Sequence, residues 1–319
     1  MSNDRQLAHF PINFFPMVMG LAGMALAWRK AAQMLALEIS PHMVMEGLAV
    51  LVFAVLVLTY GLKCIKCSGA VKQEFHHPVK SNFFSAISIS IILISAIALP
   101  YSEPIATALF TVGAIMNIAL TISVFSRWIF GDHLKNAHIN PTWFIPVVGN
   151  ILVPVVAVPL GFEEIGWWFF SIGIVFWLVL LTIFMHRIFF FDALPPMLVP
   201  TLFILIAPPT VGFVAYLALN GYVDNFAQVL YGVGLFLTIF LLSQYKRFAK
   251  LPFFLSWWAY SFPLSSITLA SLHYFEQSQY QPARWISLIL LGLMTAIILG
   301  LIVRTLGAIK KKGICQPEG

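Results

Sequence analysis

Residues 165–188 read IGWWFFSIGIVFWLVLLTIFMHRI and carry no charged side chain before Arg187. An α-helix needs about 20 consecutive apolar residues to cross the hydrocarbon core of a bilayer. A membrane-spanning β-strand is about ten residues long and alternates apolar with polar side chains. Residues 174–184 show no such alternation, and neither do residues 91–98. This stretch therefore predicts a membrane-spanning helix.

The rest of the chain has a similar composition. Its 319 residues are 60% hydrophobic and 9% charged, with a mean hydropathy of +0.92. A soluble domain of this length cannot bury so much apolar surface in one core, whereas a bilayer accepts it, provided that the backbone satisfies its own hydrogen bonds. We therefore predict an all-α integral membrane protein. Residues 1–319 are expected to form a single transmembrane domain, embedded over about residues 12–306, with short tails at both ends.

Apolar runs bounded by charged residues, Pro and Gly predict ten transmembrane helices. The connections are short, so consecutive spans should form antiparallel hairpins. The first span begins so close to Met1 that it is expected to be a retained anchor, not a cleaved signal peptide. The predicted spans are residues 12–33, 43–64, 80–99, 105–127, 142–161, 165–188, 197–219, 225–246, 253–275 and 283–306.

The basic residues predict the orientation of these spans. Fifteen of the eighteen Lys and Arg residues fall on the side that holds both termini, and only Arg29, Lys30 and Arg284 fall on the other. By the positive-inside rule, both termini should be cytoplasmic, in the plasma or inner membrane of the cell. The net charge of +6 is then a topology signal, and no nucleic acid partner is expected. The fifteen are Arg5, Lys63, Lys66, Lys72, Lys80, Arg127, Lys135, Arg187, Lys246, Arg247, Lys250, Arg304, Lys310, Lys311 and Lys312.

A proline motif repeats at the start of every odd-numbered span, and a basic cluster ends every even-numbered one. The repeated unit is proline, helix, short turn, helix and basic end, and it occurs five times. Units of two spans all have the same orientation, which predicts a quasi-five-fold ring of five hairpins about the membrane normal. The five motifs contain Pro11, Pro78, Pro141, Pro195 with Pro196, and Pro252.

Prolines inside the spans distinguish an inner from an outer set of helices. A proline within a helix frees a backbone carbonyl that lipid cannot satisfy, so such a helix belongs against protein or water. Prolines lie inside four of the five odd spans and inside none of the even spans. We expect the odd helices to line a central pore and the even helices to face lipid. The predicted kinks are at Pro16, Pro146, Pro200, Pro209 and Pro263.

Small and hydroxyl-bearing residues form stripes on the odd spans. One interpretation is helix packing through small residues; several such helices facing one axis favour a pore lining. No Asp, Glu, Lys or Arg lies near the middle of a span, which argues against an ion-coupled pump. Hydroxyls without carboxylates would not repel an anion. The candidate lining residues are Gly20, Gly23, Ser85, Ser88, Ser95, Gly149, Asn150, Pro208, Ser261, Ser265 and Thr268.

Candidate catalytic and metal-binding groups are sparse. Cys64 and Cys67 form a single CxxC without a second pair, and His residues lack the spacing of a metal site. We expect no metal, no cofactor and no enzymatic activity. A membrane-embedded enzyme would need His, Cys or carboxylates clustered at one depth.

Several segments resemble the tellurite-resistance/dicarboxylate transporter family, which includes bacterial TehA and the slow anion channels of plant guard cells. The resemblance spans about residues 9–306. It implies ten helices as five hairpins, a central pore lined by the odd helices, a homotrimer with one pore per subunit, and a phenylalanine gate at Phe262. The segments are HFP at 9–11 through MGL at 19–21, EFHHPVK at 74–80, NPTWFIP at 140–146, Ala207-Pro208, and WAYSFP at 258–263.

The sequence is compatible with two functions. The first is a passive channel for small anions such as chloride or nitrate, with a basic cytoplasmic rim that concentrates anions. The second is a secondary transporter of C4-dicarboxylates such as malate, of sulfite or of tellurite, coupled or not to protons. A channel current reverses at the anion equilibrium potential, whereas coupled transport shifts with a pH gradient.

Overall fold

A computed structural model describes residues 3–38, 40–131 and 134–311, and within these ranges the chain is helical and contains no strand. The ends of both predicted tails, residues 1–2 and 312–319, lie outside the described residues. Short helices Ser68–His76 and Tyr245–Ala249 lie between longer ones. The long helices are α1 Phe15–Leu35, α2 His42–Lys66, α3 Ser85–Ala98, α4 Glu103–Phe130, α5 Phe144–Leu152, continued by Pro154–Ala157, α6 Glu163–Phe190, α7 Ala207–Asn220, α8 Asn225–Ser243, α9 Ser261–Ser278 and α10 Gln281–Lys310.

Each odd-numbered helix is preceded by a 3₁₀ segment, and we call the two together an odd segment. In four of the five, the α-helical part begins close to a proline, where the missing N–H costs no hydrogen bond; α3 begins at Ser85 without one. Pro16, Pro146, Pro209 and Pro263 all lie within the first turn of their α-helices, and Pro200 lies inside a 3₁₀ segment. Proline therefore marks a change of helix type. The 3₁₀ segments are Ile12–Phe14, Lys80–Phe84, Pro141–Trp143, Pro196–Ile206 and Leu255–Tyr260.

Burial separates the two sets of helices. In the most apolar stretch of the odd segments that contain α1, α3 and α7, 67, 78 and 83% of the residues are buried, against 22–33% in the even-numbered helices. Large apolar side chains such as Val112, Ile122, Phe236 and Val303 stand exposed on the even helices. An apolar surface of this extent is typical of contact with lipid.

Within the described residues, eight helices are long and apolar enough to cross a membrane. They correspond to all the predicted spans except the fifth and the ninth. In the fifth, the apolar helix covers only Pro141–Ala157, and within it the α-helix is interrupted at Val153, next to Pro154. The ninth falls outside these eight, and its helix α9 carries several hydroxyl side chains together with His273 and Glu276.

Helix contacts follow a regular order. Each odd helix packs against the even helix that follows it in the chain. Among the odd helices, α1 contacts α3, α3 contacts α5, α5 contacts α7, α7 contacts α9, and α9 contacts α1. Gly173 of α6 allows one close approach, because a Cβ there would lie 2.8 Å from the backbone nitrogen of Ile151 in α5.

Two ion pairs, one partly and one almost fully buried, connect neighbouring helices near their ends. Arg29 of α1 pairs with Glu46 of α2 at 2.6 Å and donates to the backbone carbonyl of Ile97 at 2.9 Å. At the opposite ends of these helices, the fully buried Lys63 pairs with Glu74 of the short helix Ser68–His76 at 2.8 Å. Such charges are stable in an apolar interior only when they are paired and hydrogen-bonded.

Candidate functional site

Two small cavities lie between the odd segments. The N-side cavity, near the N-terminal ends of the odd helices, has a volume of about 40 Å³. The C-side cavity lies further along the same helices and has a volume of about 30 Å³. Each volume holds one or a few water molecules. Representative lining residues are Pro16, Phe83, Ile145, Ile204 and Trp258 in the N-side cavity, and Gly23, Ile92, Leu152, Val211 and Ser265 in the C-side cavity.

All five odd segments contribute to both cavities, and among the described residues no even helix lines either one. Phe262 is the residue that the two linings share. Its side chain is 6% exposed. The two spaces therefore follow one another along the odd helices, with the ring of Phe262 bordering both.

Gly23 leaves room for this ring. A Cβ at Gly23 would lie 3.5 Å from Cδ2 of Phe262 and 2.7 Å from Cβ of Ser265. One turn earlier, a Cβ at Gly20 would overlap the side chain of Ser261. The two glycines of α1 therefore let α9 approach closely, which positions Phe262 between the cavities.

The walls of both cavities are almost entirely apolar. Among the described residues, no charged side chain lines either cavity. The polar groups of the C-side cavity are the hydroxyls of Ser265 and Ser266, which donate to the backbone carbonyls of Ser261 and Pro263, each at 2.9 Å. Ser266 also shares a 2.6 Å hydrogen bond with the hydroxyl of Thr210. These hydroxyls can rotate to donate to an anion.

The predicted lining and kink residues divide into three groups. Gly23, Ser265 and Phe262 line the cavities, as do Pro16 and Pro263. A second group borders neither cavity. It comprises Gly20, Ser85, Pro208, Ser261 and Thr268, together with Pro146, Pro200 and Pro209. The remaining residues, which face α4, are Ser88, Ser95, Gly149 and Asn150.

Contacts with α4 account for that last group. Ser88 donates to the amide oxygen of Asn117 at 3.0 Å, and a Cβ at Gly149 would meet the same side chain. Asn150 donates to the hydroxyl of Thr121 at 2.9 Å. Ser95 donates to the carbonyl of Ala106 at 2.6 Å. Polar and small residues at this position hold helices together.

Sequence reasoning missed the aliphatic part of the linings. Ile92, Leu152, Val211 and Val214 border the C-side cavity, yet they are chemically identical to residues that face outward. The hydroxyl pair of Thr210 and Ser266 was also missed, although both residues lie just after prolines in their helices.

The segments HFP at 9–11 and EFHHPVK at 74–80 meet near the N-terminal ends of the odd helices. An open pocket of about 570 Å³ is lined by His9 and Pro11 from one motif and by Glu74, His77 and Lys80 from the other. It adjoins the Lys63–Glu74 ion pair through Glu74. The combination of basic side chains and a buried carboxylate makes this pocket polar, unlike the two cavities near Phe262.

Comparison with known proteins identifies the family. The family model described as SLAC1, voltage-dependent anion channel, matches residues 9–306. The chain belongs to this family. The match confirms the resemblance inferred from the motifs, and together with the apolar helices it establishes a multi-pass integral membrane protein.

Relatives of the chain include proteins of a plant, a bacterium and an archaeon. The chain is 29% identical to the guard cell S-type anion channel SLAC1 of Arabidopsis thaliana over 94% of its own length and 56% of the relative's. It is 30% identical to S-type anion channel SLAH1 of the same plant, over 77 and 65% of the two lengths. The tellurite resistance protein TehA homolog of Haemophilus influenzae is 26% identical over 85 and 83%. The chain therefore spans little more than half the length of the guard cell relative that it matches.

Proposed function

We propose that this protein is a passive channel for small anions such as chloride or nitrate, with Phe262 as its gate. The architecture we propose is a single transmembrane domain, residues 1–319, of ten spanning helices arranged as five hairpins in a quasi-five-fold ring. Two observations support it. The odd helices contact one another in an order that returns from α9 to α1, and they are much more buried than the even helices.

The observation that carries the gate assignment is the position of Phe262. Its side chain borders both cavities, and both are lined by all five odd segments. A ring between two narrow apolar spaces excludes ions through its bulk and because such a constriction dewets. Removing the ring would join the two cavities into one passage. The other candidate lining residues that border the cavities, Gly23 and Ser265, would lie on the C-terminal side of this gate.

The lining favours anions over cations. A cation would need carboxylates or an array of carbonyl oxygens to replace its water, and among the described residues no acidic side chain lines the cavities. The hydroxyls of Ser265 and Ser266 supply weak donors, which suit rapid passage of an anion. Both plant relatives described above are named as S-type anion channels.

A transporter is the second candidate, because one relative is named a tellurite resistance protein TehA homolog. Export of C4-dicarboxylates, sulfite or tellurite with protons would require a proton-carrying group unless the substrate carries its own proton. The cavities offer no carboxylate or histidine among the described residues. This favours passive flow.

The remaining parts of the proposal concern placement and assembly. The excess of basic residues at the ends of the even helices supports cytoplasmic termini and insertion in the plasma or inner membrane. The family resemblance supports a homotrimer with one pore in each subunit. Besides the other subunits of the trimer, the partners we propose are small anions and the bilayer, and we propose no nucleic acid partner.

Planar bilayer recordings test the gate. The Phe262→Ala variant should carry a much larger anion current than the unmodified protein, and its current should reverse at the chloride equilibrium potential. Phe144→Ala is the matched control, since Phe144 is a fully buried phenylalanine that lines neither cavity. Unchanged current in folded Phe262→Ala protein would remove the gate role. A reversal potential that follows an imposed pH gradient would favour the transporter.

A further inference from the structure

A groove of about 290 Å³ lies outside the odd helices, between α8 and α10. Leu241 and Leu242 of α8 form one wall, and Ile297 and Leu301 of α10 form the other. Its floor is aromatic and includes Tyr260, whose ring packs on Phe203 with the centroids 4.6 Å apart. None of these residues lines the cavities beside Phe262.

The groove contains hydrogen-bond donors that have no partner. The Tyr260 hydroxyl and Nε1 of Trp257 are buried atoms without a hydrogen bond in the described part of the chain, and the Tyr260 side chain is only 7% exposed. Buried donors are normally satisfied, and leaving one unpaired is costly. Trp257 and Tyr260 both line the groove, so a hydrogen-bond acceptor bound there would satisfy two buried donors.

A positive charge stands at the edge of the same groove. The guanidinium of Arg304 lies 5.5 Å from the centre of the Trp257 ring. Among the described residues Arg304 forms no ion pair, and no acidic side chain lines the groove. A cation and two N–H or O–H donors together suit an anionic oxygen ligand.

The rest of the groove requires an apolar occupant. It opens beside the outward surfaces of α8 and α10, where Phe240, Leu299 and Val303 are 49, 52 and 69% exposed. These surfaces are continuous with the apolar belt of the even helices, so the groove is reached from lipid. Gly300 widens it, because nothing lies within 4 Å of the position a Cβ would take.

We propose that this groove binds an anionic membrane phospholipid. The phosphate accepts hydrogen bonds from Arg304, Trp257 and Tyr260, and an acyl chain lies over Gly300 between the walls from α8 and α10. The argument for lipid binding does not rest on the channel function proposed above. The groove is nevertheless adjacent to the proposed gate, since Tyr260 is two residues before Phe262 and belongs to the 3₁₀ segment that leads into α9.

Native mass spectrometry of the purified protein tests the site. Phosphatidylglycerol should bind more tightly than phosphatidylcholine with the same acyl chains. Gly300→Leu should block the acyl chain, while Gly292→Leu, on the same helix with equal open space, should not. Arg304→Gln should weaken phosphatidylglycerol binding about tenfold through loss of a charge-assisted hydrogen bond. Lys250→Gln, an exposed basic residue outside the groove, should leave it unchanged.

Three results would overturn the assignment. The first is equal binding of the two lipids, or equal losses in the test and control variants. The second is displacement of phosphatidylglycerol by inorganic phosphate, which would make this a site for free anions. The third is disulfide-linked dimers of a Gly300→Cys variant in a chain without native cysteines, which would place a second copy in the groove.

Discussion

The buried pair of Lys63 and Glu74 offers a quantitative test of how the first hairpin is held. The Lys63 side chain is fully buried, and its Nζ lies 2.8 Å from Oε2 of Glu74 and 2.7 Å from the carbonyl of Phe10. The Tyr60 hydroxyl donates to the same carboxylate oxygen at 2.8 Å. Lys63→Met keeps the apolar stem but removes the charge, so Glu74 would remain buried with Tyr60 as its donor.

Removal of one partner from such a pair costs about 3–5 kcal/mol, because the other charge stays buried without compensation. We expect Lys63→Met to lose a free energy of unfolding in this range. The double variant Lys63→Met/Glu74→Gln removes both charges and should recover most of the loss, leaving a deficit of about 1 kcal/mol. Lys72→Met, an exposed lysine on the same short helix, should change stability by less than about 0.5 kcal/mol.

Denaturant unfolding in detergent micelles measures the unmodified protein and these variants, together with the single variant Glu74→Gln, under the same conditions. The four proteins that keep Lys72 form a double-mutant cycle, and its non-additivity gives the coupling energy directly. Equal stabilities of Lys63→Met and Lys72→Met would show that the buried pair contributes nothing to stability. A double variant as unstable as Lys63→Met would show that the uncompensated charge is not the cause of the loss.

Two further predictions concern helix packing and pH. Gly173→Ala should destabilise the protein by about 1–3 kcal/mol, because its Cβ would overpack the contact with Ile151, whereas Gly232→Ala, with nothing within 4 Å, should stabilise it by up to about 1 kcal/mol; unfolding measurements compare the two, and equal effects would contradict the close approach. The backbone N–H of Ala227 lowers the pKa of Asp224 below its ordinary value of 3.8. A lowered folded-state pKa contributes stability above the unfolded pKa that is lost as pH falls, so thermal unfolding should show a steeper acid decline below about pH 4 for the unmodified protein than for Asp224→Asn.

The greater burial of the odd segments could be predicted from the prolines in four of the five odd spans, whereas the third span has none. Because a proline near the middle of a span leaves a carbonyl that lipid cannot satisfy, its distribution indicates which helices need protein around them. The burial of the odd segments agrees with that expectation. The fifth helix ends at Ala157, short of the predicted end at residue 161, and hydroxyl residues lower the hydropathy of the ninth.

The facing of individual side chains could not be predicted in the same way. A serine stripe shows which residues share a helix face, but the partner helix decides where that face points. Ser88 and Ser95 turn to α4 because Asn117 and a backbone carbonyl there accept their hydrogen bonds. Val148 borders the N-side cavity and its neighbour Val147 lines neither cavity, although nothing in the sequence distinguishes the two valines.

In the proposed channel, ions pass between the odd helices once Phe262 is displaced. Thiol labelling tests it directly, using a chain whose three native cysteines are changed to serine and which carries Phe262→Ala. A charged, membrane-impermeant reagent should react with Val211→Cys and block the current, although Val211 is only 3% exposed, and should not react with Val112→Cys, which is 58% exposed to the surface assigned to lipid. Reaction at Val112→Cys, with Val211→Cys inert in a conducting protein, would show that the ions do not pass between the odd helices.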